Sequence, residues 1–273
     1  AQGIEERLVS RSTWIDTKGP LTWGRHKIRD LRHHGDAMTV EDIIVKSSNI
    51  GTARIAMMIG PEKQQDFLND LGLFKASPVE LIEAGGARPL LPKKWSEIHT
   101  MTVSYGHGMS ASPLHLATAY ASLLNGGLQV EPTILKRETY ETGPRILSAD
   151  TSRQAREMLR KVVRDGTASL GEVAGYRVGG KTGTADKPRP QGGYYDDRVI
   201  ATFASVFPAD DPAYVLVVTL DEPVETSGKK PRRTAGWTAV PVAAEVIRRA
   251  APLLGLAPAV ESGTTEGVTL ASN

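Results

Sequence analysis

Helical and extended sequence patterns occupy separate parts of this chain, and few arrangements of helices and strands are compatible with that separation. Before residue 165, apolar residues recur at the spacing of amphipathic helices. Stretches rich in β-branched and aromatic residues follow at 177–184, 199–207 and 213–220, and a last helical pattern covers 239–254. Because helices and strands are segregated along the chain rather than alternating, the pattern predicts an α+β fold.

Local signals place the ends of several helices. Thr39 and Asp42 form a capping box that predicts a helix start, and the polar residues 47–49 predict an interruption before the helical pattern resumes. Ser112 and Pro113 are typical of an N-cap followed by the first residue of a helix. These signals predict two successive helices that meet at 47–49 and a separate helix after Ser112.

The same patterns divide the chain into three predicted parts. Residues 1–170 form a mostly helical subdomain, in which 1–36 are predicted to be irregular. Residues 171–257 supply antiparallel strands and a closing helix, and residues 258–273 have the composition of a flexible tail. We therefore expect a helical subdomain beside an antiparallel sheet that is flanked by helices.

Composition excludes several classes of protein. Lys and Arg number 33 against 31 Asp and Glu, which gives a net charge of +2, and 40% of the residues are hydrophobic. This balance is typical of a soluble globular protein, and not of a disordered chain or a nucleic-acid-binding polycation. The chain has no cysteine, so it offers no disulfide, no thiolate ligand and no cysteine nucleophile. No apolar run approaches the ~18 residues that a membrane-spanning helix needs.

Two glycine-rich segments match nucleotide-binding patterns. The segment GYRVGGKT at 175–182 fits the phosphate-binding loop, but that mechanism requires a helix to begin at the Lys-Thr pair. Gly183, Pro188 and Pro190 disfavour such a helix. The segment GHGMSA at 106–111 fits a dinucleotide fingerprint, which is a weak signal by itself. A P-loop nucleotide hydrolase is therefore an alternative with little support from the flanking sequence.

A different interpretation of the same region places Lys181 to Thr184 in an extended strand at the edge of the sheet. Thr182 and Thr184 favour extended backbone, and Gly183 has no side chain to hinder the approach of a ligand. Lys181 supplies positive charge, and the two threonines supply hydroxyl donors. Such an edge suits an extended peptide that ends in a carboxylate, although a solvent-facing edge strand explains the tetrapeptide alone at least as well.

Two motifs in a fixed order resemble those of one enzyme family. Ser-Ser-Asn at 47–49 precedes Lys-Thr-Gly at 181–183, as the S-x-N and K-T-G motifs do in penicillin-binding proteins and serine β-lactamases. The nucleophile of that family is the serine of S-x-x-K, which comes before S-x-N, and nothing in 1–46 fits it. The only literal match, at 227–230, follows K-T-G and lies in a basic segment. The nucleophile is therefore expected outside this chain.

Longer segments narrow the resemblance to one branch. Residues 103–127 and 175–185 resemble class B penicillin-binding proteins, and 46–51 with 92–98 resemble the cell-division (septal) transpeptidase type. The resemblance extends over roughly 5–258, nearly the whole chain. It implies a penicillin-binding protein/serine β-lactamase-like fold. The chain is then expected to be the C-terminal part of a transpeptidase domain, incomplete at its N-terminal side and without a membrane anchor.

The resemblance also implies an activity, which is acyl transfer from stem peptides that end in D-Ala-D-Ala. It assigns catalytic roles to Ser47, Asn49, Lys181 and Thr184, and substrate binding to Thr182, Gly183 and Thr184. Ser47 would relay a proton to the leaving nitrogen, and Asn49 would hydrogen-bond the substrate amide. Lys181 would attract the terminal carboxylate, which the hydroxyls of Thr182 and Thr184 bind. The Thr184 N–H would form half of an oxyanion hole.

Further expectations concern partners and location. The resemblance implies no cofactor, no metal and no nucleic acid. It implies binding of peptidoglycan stem peptides and β-lactam antibiotics, and association with the N-terminal remainder of the protein and a glycosyltransferase of the division machinery. The expected location is the periplasmic face of the bacterial inner membrane. One alternative is a non-catalytic module that binds peptidoglycan or a division partner, since the S-x-x-K segment is missing.

Overall fold

The computed structural model of the protein describes residues 1–139 and 141–259. The helices in this part of the chain are α1 (Gln2–Glu5), α2 (Val40–Lys46), α3 (Asn49–Ile59), α4 (Pro61–Asp70), α5 (Glu97–Ser104), α6 (Pro113–Leu124), α7 (Ala149–Asp165) and α8 (Ala239–Leu253). The strands are β1 (Trp14–Asp16), β2 (Leu21–Trp23), β3 (His26–Ile28), β4 (Ala37–Thr39), β5 (Gly179–Pro188), β6 (Tyr194–Phe207) and β7 (Tyr214–Asp221). The tail predicted at 258–273 lies outside the described residues from 260 onward.

The last three strands form an antiparallel sheet with β6 in the centre, which confirms the predicted α+β class. α8 packs on one face of this sheet, where the fully buried Phe203 contributes to the core. α7 packs on the other face, so closely that a Cβ at Gly179 would lie 3.2 Å from a backbone nitrogen of the helix. Side chains alternate along a strand, so Lys181 projects to the α7 face and Thr182 to the α8 face.

Side-chain caps begin the helices that the sequence predicted. Thr39 Oγ1 accepts a hydrogen bond from the Asp42 N–H at 3.1 Å, and Ser112 Oγ accepts one from the His115 N–H at 3.3 Å. Only residues 47–48 separate α2 from α3, which confirms the predicted interruption. Each capping hydroxyl satisfies a backbone donor that helix geometry leaves without a partner.

The N-terminal segment differs from the prediction. Residues 1–36 are not irregular, because β1 pairs with β4 and β2 pairs with β3, both antiparallel. Each of these strands has three residues, too few for an alternating pattern to be recognised. The sequence also gave no signal for α5, whose Thr100, Thr102 and Ser104 have weak helix propensity.

One hydrophobic cluster joins the regions before and after residue 170. Val45 of α2 and Val162 of α7 belong to the same buried cluster as Phe203 of β6 and Ala243 of α8. The predicted division at residue 170 stays a prediction. The cluster nevertheless fixes α2 and α7 relative to the sheet, and this is what positions the candidate site.

In the part of the chain that the structure describes, no helix combines the length and the apolar character needed to cross a lipid bilayer.

Candidate active site

The S-x-N motif occupies the short junction between α2 and α3. Ser47 follows the last residue of α2 and has a left-handed backbone, with φ 60° and ψ 53°. This conformation is uncommon for a residue with a Cβ, and it is often found at functional sites. Ser48 is buried and caps α3, since its Oγ accepts from the Gly51 N–H at 3.0 Å. The side chain of Ser48 is therefore turned into the protein, whereas the hydroxyl of Ser47 lies towards Lys181 of β5.

Asp30, just after β3, anchors this junction. Its Oδ2 accepts from Ser48 Oγ at 2.7 Å and its Oδ1 accepts from the Ile50 N–H at 3.0 Å. A carboxylate on the first N–H groups of a helix is also favoured by the helix dipole. Asp30 could not be identified from the sequence, since a single acid in a basic segment gives no local signal for a contact with residues about 20 positions away.

Asn49 is the first residue of α3 and follows the junction directly. Its Nδ2 donates to the backbone carbonyl of Arg29 at 3.0 Å. This bond fixes the plane of the side-chain amide and uses one of its two hydrogens. The Oδ1 atom and the second amide hydrogen remain available for other partners.

Lys181 meets this junction from the sheet. Its Nζ donates to Ser47 Oγ at 2.7 Å and to the Thr182 carbonyl at 3.1 Å. Burial lowers the pKa of Lys181 to about 8, because water no longer solvates the ammonium fully. No ion pair joins a carboxylate of the described residues to this ammonium. The structure thus places an uncompensated cation 2.7 Å from the hydroxyl of the S-x-N serine.

β5 has a free edge beside that cation. Among the described strands β5 pairs only with β6. The Thr182 carbonyl oxygen accepts a hydrogen bond from the Lys181 ammonium, and we infer that it points to the free edge and not to β6. Backbone groups two residues apart point the same way along a strand, so the Thr184 N–H faces this edge as well. A Cβ at Gly183 would have one neighbour within 4 Å, the Thr202 carbonyl oxygen at 3.9 Å, so the edge there is open.

Two groups that no sequence motif marks hold the hydroxyls of Thr182 and Thr184. Thr182 Oγ1 lies 2.7 Å from Thr167 Oγ1, and the two share one hydrogen bond. Thr184 Oγ1 accepts from the Ala235 N–H at 3.0 Å. A hydroxyl that accepts can still donate, so the proton of Thr184 is available to a ligand. The contacts fix the direction of both hydroxyls.

The structure separates the alternative interpretations. Ser47 and Lys181 are in direct contact, and Asn49 lies two residues further along the same junction. The Lys-Thr pair lies inside β5 and not at the start of a helix, so the phosphate-binding geometry of a P-loop is not formed. Within the described ranges, no three His, Cys, Asp or Glu side chains converge as metal ligands would.

Comparison with known proteins gives consistent matches. The family model described as "Penicillin binding protein transpeptidase domain" matches residues 1–246. A Caulobacter vibrioides protein named "Probable peptidoglycan D,D-transpeptidase FtsI" is 36% identical over 283 residues, which cover 100% of this chain and 47% of that protein. The chain thus spans about half the length of this curated relative.

Solved structures match over nearly the same region. The transpeptidase domain of Burkholderia pseudomallei penicillin-binding protein 3 has a TM-score of 0.84 and 34% identity, and the match covers 94% of this chain and 77% of that one. Penicillin-binding protein 3 of Mycobacterium tuberculosis, in complex with ampicillin, has a TM-score of 0.83 and 30% identity, with 95% of this chain and 61% of that one covered.

Proposed function

The chain belongs to the penicillin-binding protein transpeptidase domain family, in its class B, division-type branch, and we propose that the full-length protein is a serine-type peptidoglycan D,D-transpeptidase. No S-x-x-K precedes the S-x-N motif in these 273 residues. The nucleophilic serine and its lysine therefore belong to a part of the full-length protein that this chain does not contain. This chain supplies the other side of the groove.

The contact between Lys181 and Ser47 carries the proposal. The nucleophilic serine attacks the carbonyl carbon of the D-Ala-D-Ala bond, and its proton passes to the lysine of S-x-x-K. Ser47 then relays a proton to the leaving nitrogen, and D-Ala departs. The amine of a second stem peptide then attacks the acyl carbon, so that the new amide bond forms and the serine ester bond breaks, and the proton that the amine loses returns to the serine oxygen. A hydroxyl that accepts from an ammonium at 2.7 Å has its own proton free to donate, as a relay requires.

The free edge of β5 supports the binding of an extended peptide with a terminal carboxylate. The ammonium of Lys181 has no carboxylate partner within the described residues, so a substrate carboxylate is the anion it lacks. The hydroxyls of Thr182 and Thr184 each lie on the same short segment and can donate to that carboxylate. The N–H of Thr184 supplies one donor of the oxyanion hole, and such a donor contributes about 3 kcal/mol in the transition state. Gly183 leaves room for the peptide backbone.

Asn49 is assigned to the substrate amide. Its Nδ2 is fixed by the Arg29 carbonyl, which directs the remaining amide groups away from that loop. A pre-oriented amide binds a peptide group without first losing rotational freedom, which favours a substrate in one orientation.

We further propose a periplasmic location and β-lactam binding for the full-length protein. Peptidoglycan lies outside the inner membrane, so an enzyme that cross-links it acts there. The matching structure from M. tuberculosis is in complex with ampicillin. We also propose an association with a division glycosyltransferase, which only the resemblance in sequence implies.

Labelling by a fluorescent penicillin tests this function. The full-length protein should form a covalent adduct, and Lys181→Ala or Asn49→Ala should lower the rate of labelling by at least a hundredfold. Lys229→Ala is the matched control, because Lys229 is exposed and has no ion-pair partner in the described chain. A full-length protein that is not labelled would favour the non-catalytic binding module, and equal rates for all variants would refute the assigned roles.

A further inference from the structure

The turn that follows α7 contacts both halves of the candidate site. We call Gly166 and Thr167 the 166–167 turn; it comes directly after the last residue of α7. The turn is held to the helix because the N–H groups of Gly166 and Ala168 both donate to the Val162 carbonyl, at 3.1 and 3.2 Å. It therefore moves with α7 and not independently of it.

Gly166 lies directly against the end of α2. A Cβ at this position would be 2.5 Å from the Val45 carbonyl oxygen and 2.9 Å from Val45 Cγ1. Its φ is −121°, which other residues adopt readily, so the requirement for glycine is one of space alone. Val45 is two residues before Ser47, and α2 ends between them.

Thr167 contacts the other half of the site. Its Oγ1 bonds Thr182 Oγ1 at 2.7 Å, and Thr182 is the neighbour of Lys181 on β5. A Cβ at Gly236 would be 2.6 Å from the Thr167 carbonyl oxygen. The loop that donates the Ala235 N–H to Thr184 is therefore seated on the same turn.

We infer that the 166–167 turn is a positioning element that sets the separation between Ser47 on α2 and Lys181 on β5. The inference rests on the proposed function, in which that contact carries the proton relay and the binding of the carboxylate. Gly166 sets how close α2 comes to the turn, and Thr167 sets where β5 lies. Neither residue touches the reacting atoms.

The displacement expected from a side chain at 166 is large enough to break the hydrogen bond between Lys181 and Ser47. An ordinary contact for a Cβ is 3.4 Å or more, whereas a methyl group at 166 would lie 2.5 Å from the Val45 carbonyl oxygen and 2.8 Å from the Val162 carbonyl oxygen of α7. The turn cannot relieve the first contact by moving towards Val162, so the end of α2 must move away by about 0.9 Å. The hydrogen bond between Lys181 and Ser47 is 2.7 Å long, and such a bond is largely lost beyond about 3.5 Å. The left-handed backbone of Ser47 leaves few conformations that could compensate.

The test measures the second-order rate of acylation of the full-length protein by a fluorescent penicillin, over a range of pH. Gly166→Ala should lower this rate at least tenfold. It should also move the alkaline limb of the profile to higher pH, because a Lys181 opened to water regains a higher pKa. Gly85→Ala is the control, since a Cβ there meets nothing within 4 Å and its φ is not left-handed; its rate and profile should equal those of the wild type.

A second pair of variants decides the matter if Gly166→Ala does not fold. Thr167→Val removes the hydroxyl that holds Thr182 and should lower the rate about fivefold or more, while Thr167→Ser keeps it and should stay within about twofold of wild type. The inference would be overturned, and the proposed function would stand, if the wild type is labelled and Gly166→Ala reacts at the rate of Gly85→Ala. The same holds if Thr167→Val reacts at the rate of Thr167→Ser. A wild-type protein that is not labelled would instead refute the function.

Discussion

The ammonium of Lys181 lies among groups that hydrogen-bond to it without neutralising its charge. Ser47 Oγ and the Thr182 carbonyl oxygen accept hydrogen bonds from it, and burial lowers its pKa to about 8. A lysine that is both charged and poorly solvated attracts an incoming carboxylate more strongly than an exposed lysine does. The same property makes the charge sensitive to pH just above neutrality.

The rate of acylation by an anionic substrate should therefore fall as the pH rises through about 8. Deprotonation of Lys181 removes the cation that attracts the carboxylate, and kcat/KM reports the pKa of the free enzyme. Lys181→Arg should be slower but should lack this alkaline limb, since a guanidinium stays protonated throughout. A wild-type profile that is flat between pH 7 and 10 would contradict the role of this ammonium.

Lys181 should also reduce the stability of the folded domain at neutral pH. Its folded pKa lies below the ordinary 10.5, so the unfolded state binds more protons between about pH 8 and 10.5 and stability rises with pH across that window. Below the window the shift costs about 3 kcal/mol. Lys181→Met should raise the free energy of unfolding at pH 7 by roughly 1–3 kcal/mol, as measured by urea unfolding. Lys229→Met, at an exposed position, should leave it unchanged.

Asp30 holds the start of α3 and should matter for both stability and rate. Asp30→Ala removes the acceptor of two hydrogen bonds and leaves the buried Ser48 hydroxyl without that partner. We expect a loss of about 2 kcal/mol in unfolding free energy and slower acylation, because Asn49 shares this helix turn. Asp197→Asn, an exposed acid with no ion pair in the described chain, is the control for both measurements.

The pairing of α2 with α7 depends on a charged cluster as well as on apolar packing. Glu41, in the first turn of α2, bonds Arg11 and also Lys161 of α7. Burial acts to raise the pKa of Glu41, but the bonds from Lys161 and Arg11 outweigh it, so the pKa is lowered. The cluster thus ties the beginning of α2 to α7, while Gly166 meets its end.

Glu41→Gln should destabilise the protein by about 2 kcal/mol at pH 7. Because the folded pKa of Glu41 is lowered, its contribution is fully present at neutral pH and is lost as the pH falls through that pKa, so the difference between wild type and variant should shrink in acid. Glu62→Gln is the control, since Glu62 is exposed and also lies in the first turn of a helix, and so matches the dipole effect. Urea unfolding at several pH values gives both quantities.

Helices with polar caps and strands of eight or more residues could be predicted from local sequence. Thr39 and Ser112 mark helix starts because a cap acts within three residues. The four short strands could not be predicted, since each is fixed by its partner strand rather than by its own pattern. The order of the two motifs in the sequence indicated Ser47 and Lys181 as site residues. Asp30 and Thr167 could not be predicted, because they support the site through contacts between segments that are distant in the sequence.

The sheet of the described chain ends in two strands with unpaired edges, β5 and β7. The edge of β5 belongs to the candidate site, whereas β7 offers unpaired backbone groups and no proposed ligand. The Caulobacter vibrioides relative is about twice as long as this chain, and a full-length protein of that length would have further structure to cover such an edge. Unpaired edges favour association and local opening.

Residues 1–273 expressed alone should therefore be less stable than the same region within the full-length protein. We expect a broader thermal transition at lower temperature, with binding of a dye that reports exposed apolar surface. Adding the remainder of the protein as a separate chain should sharpen the transition and displace the dye. A cooperative melt of residues 1–273 at the temperature of the full-length protein would show that the edge of β7 needs no cover.

The border of β5 has two chemically unlike sides. Lys181 projects to one side, and the hydroxyls of Thr182 and Thr184 are directed by Thr167 and Ala235 on the other. A peptide laid along this border sends the methyl group of its last residue to one side or the other according to the handedness of that residue. If the proposed function holds, mirror-image alanines would thus meet different surroundings at this border, and one enantiomer would be favoured without any side chain devoted to that task.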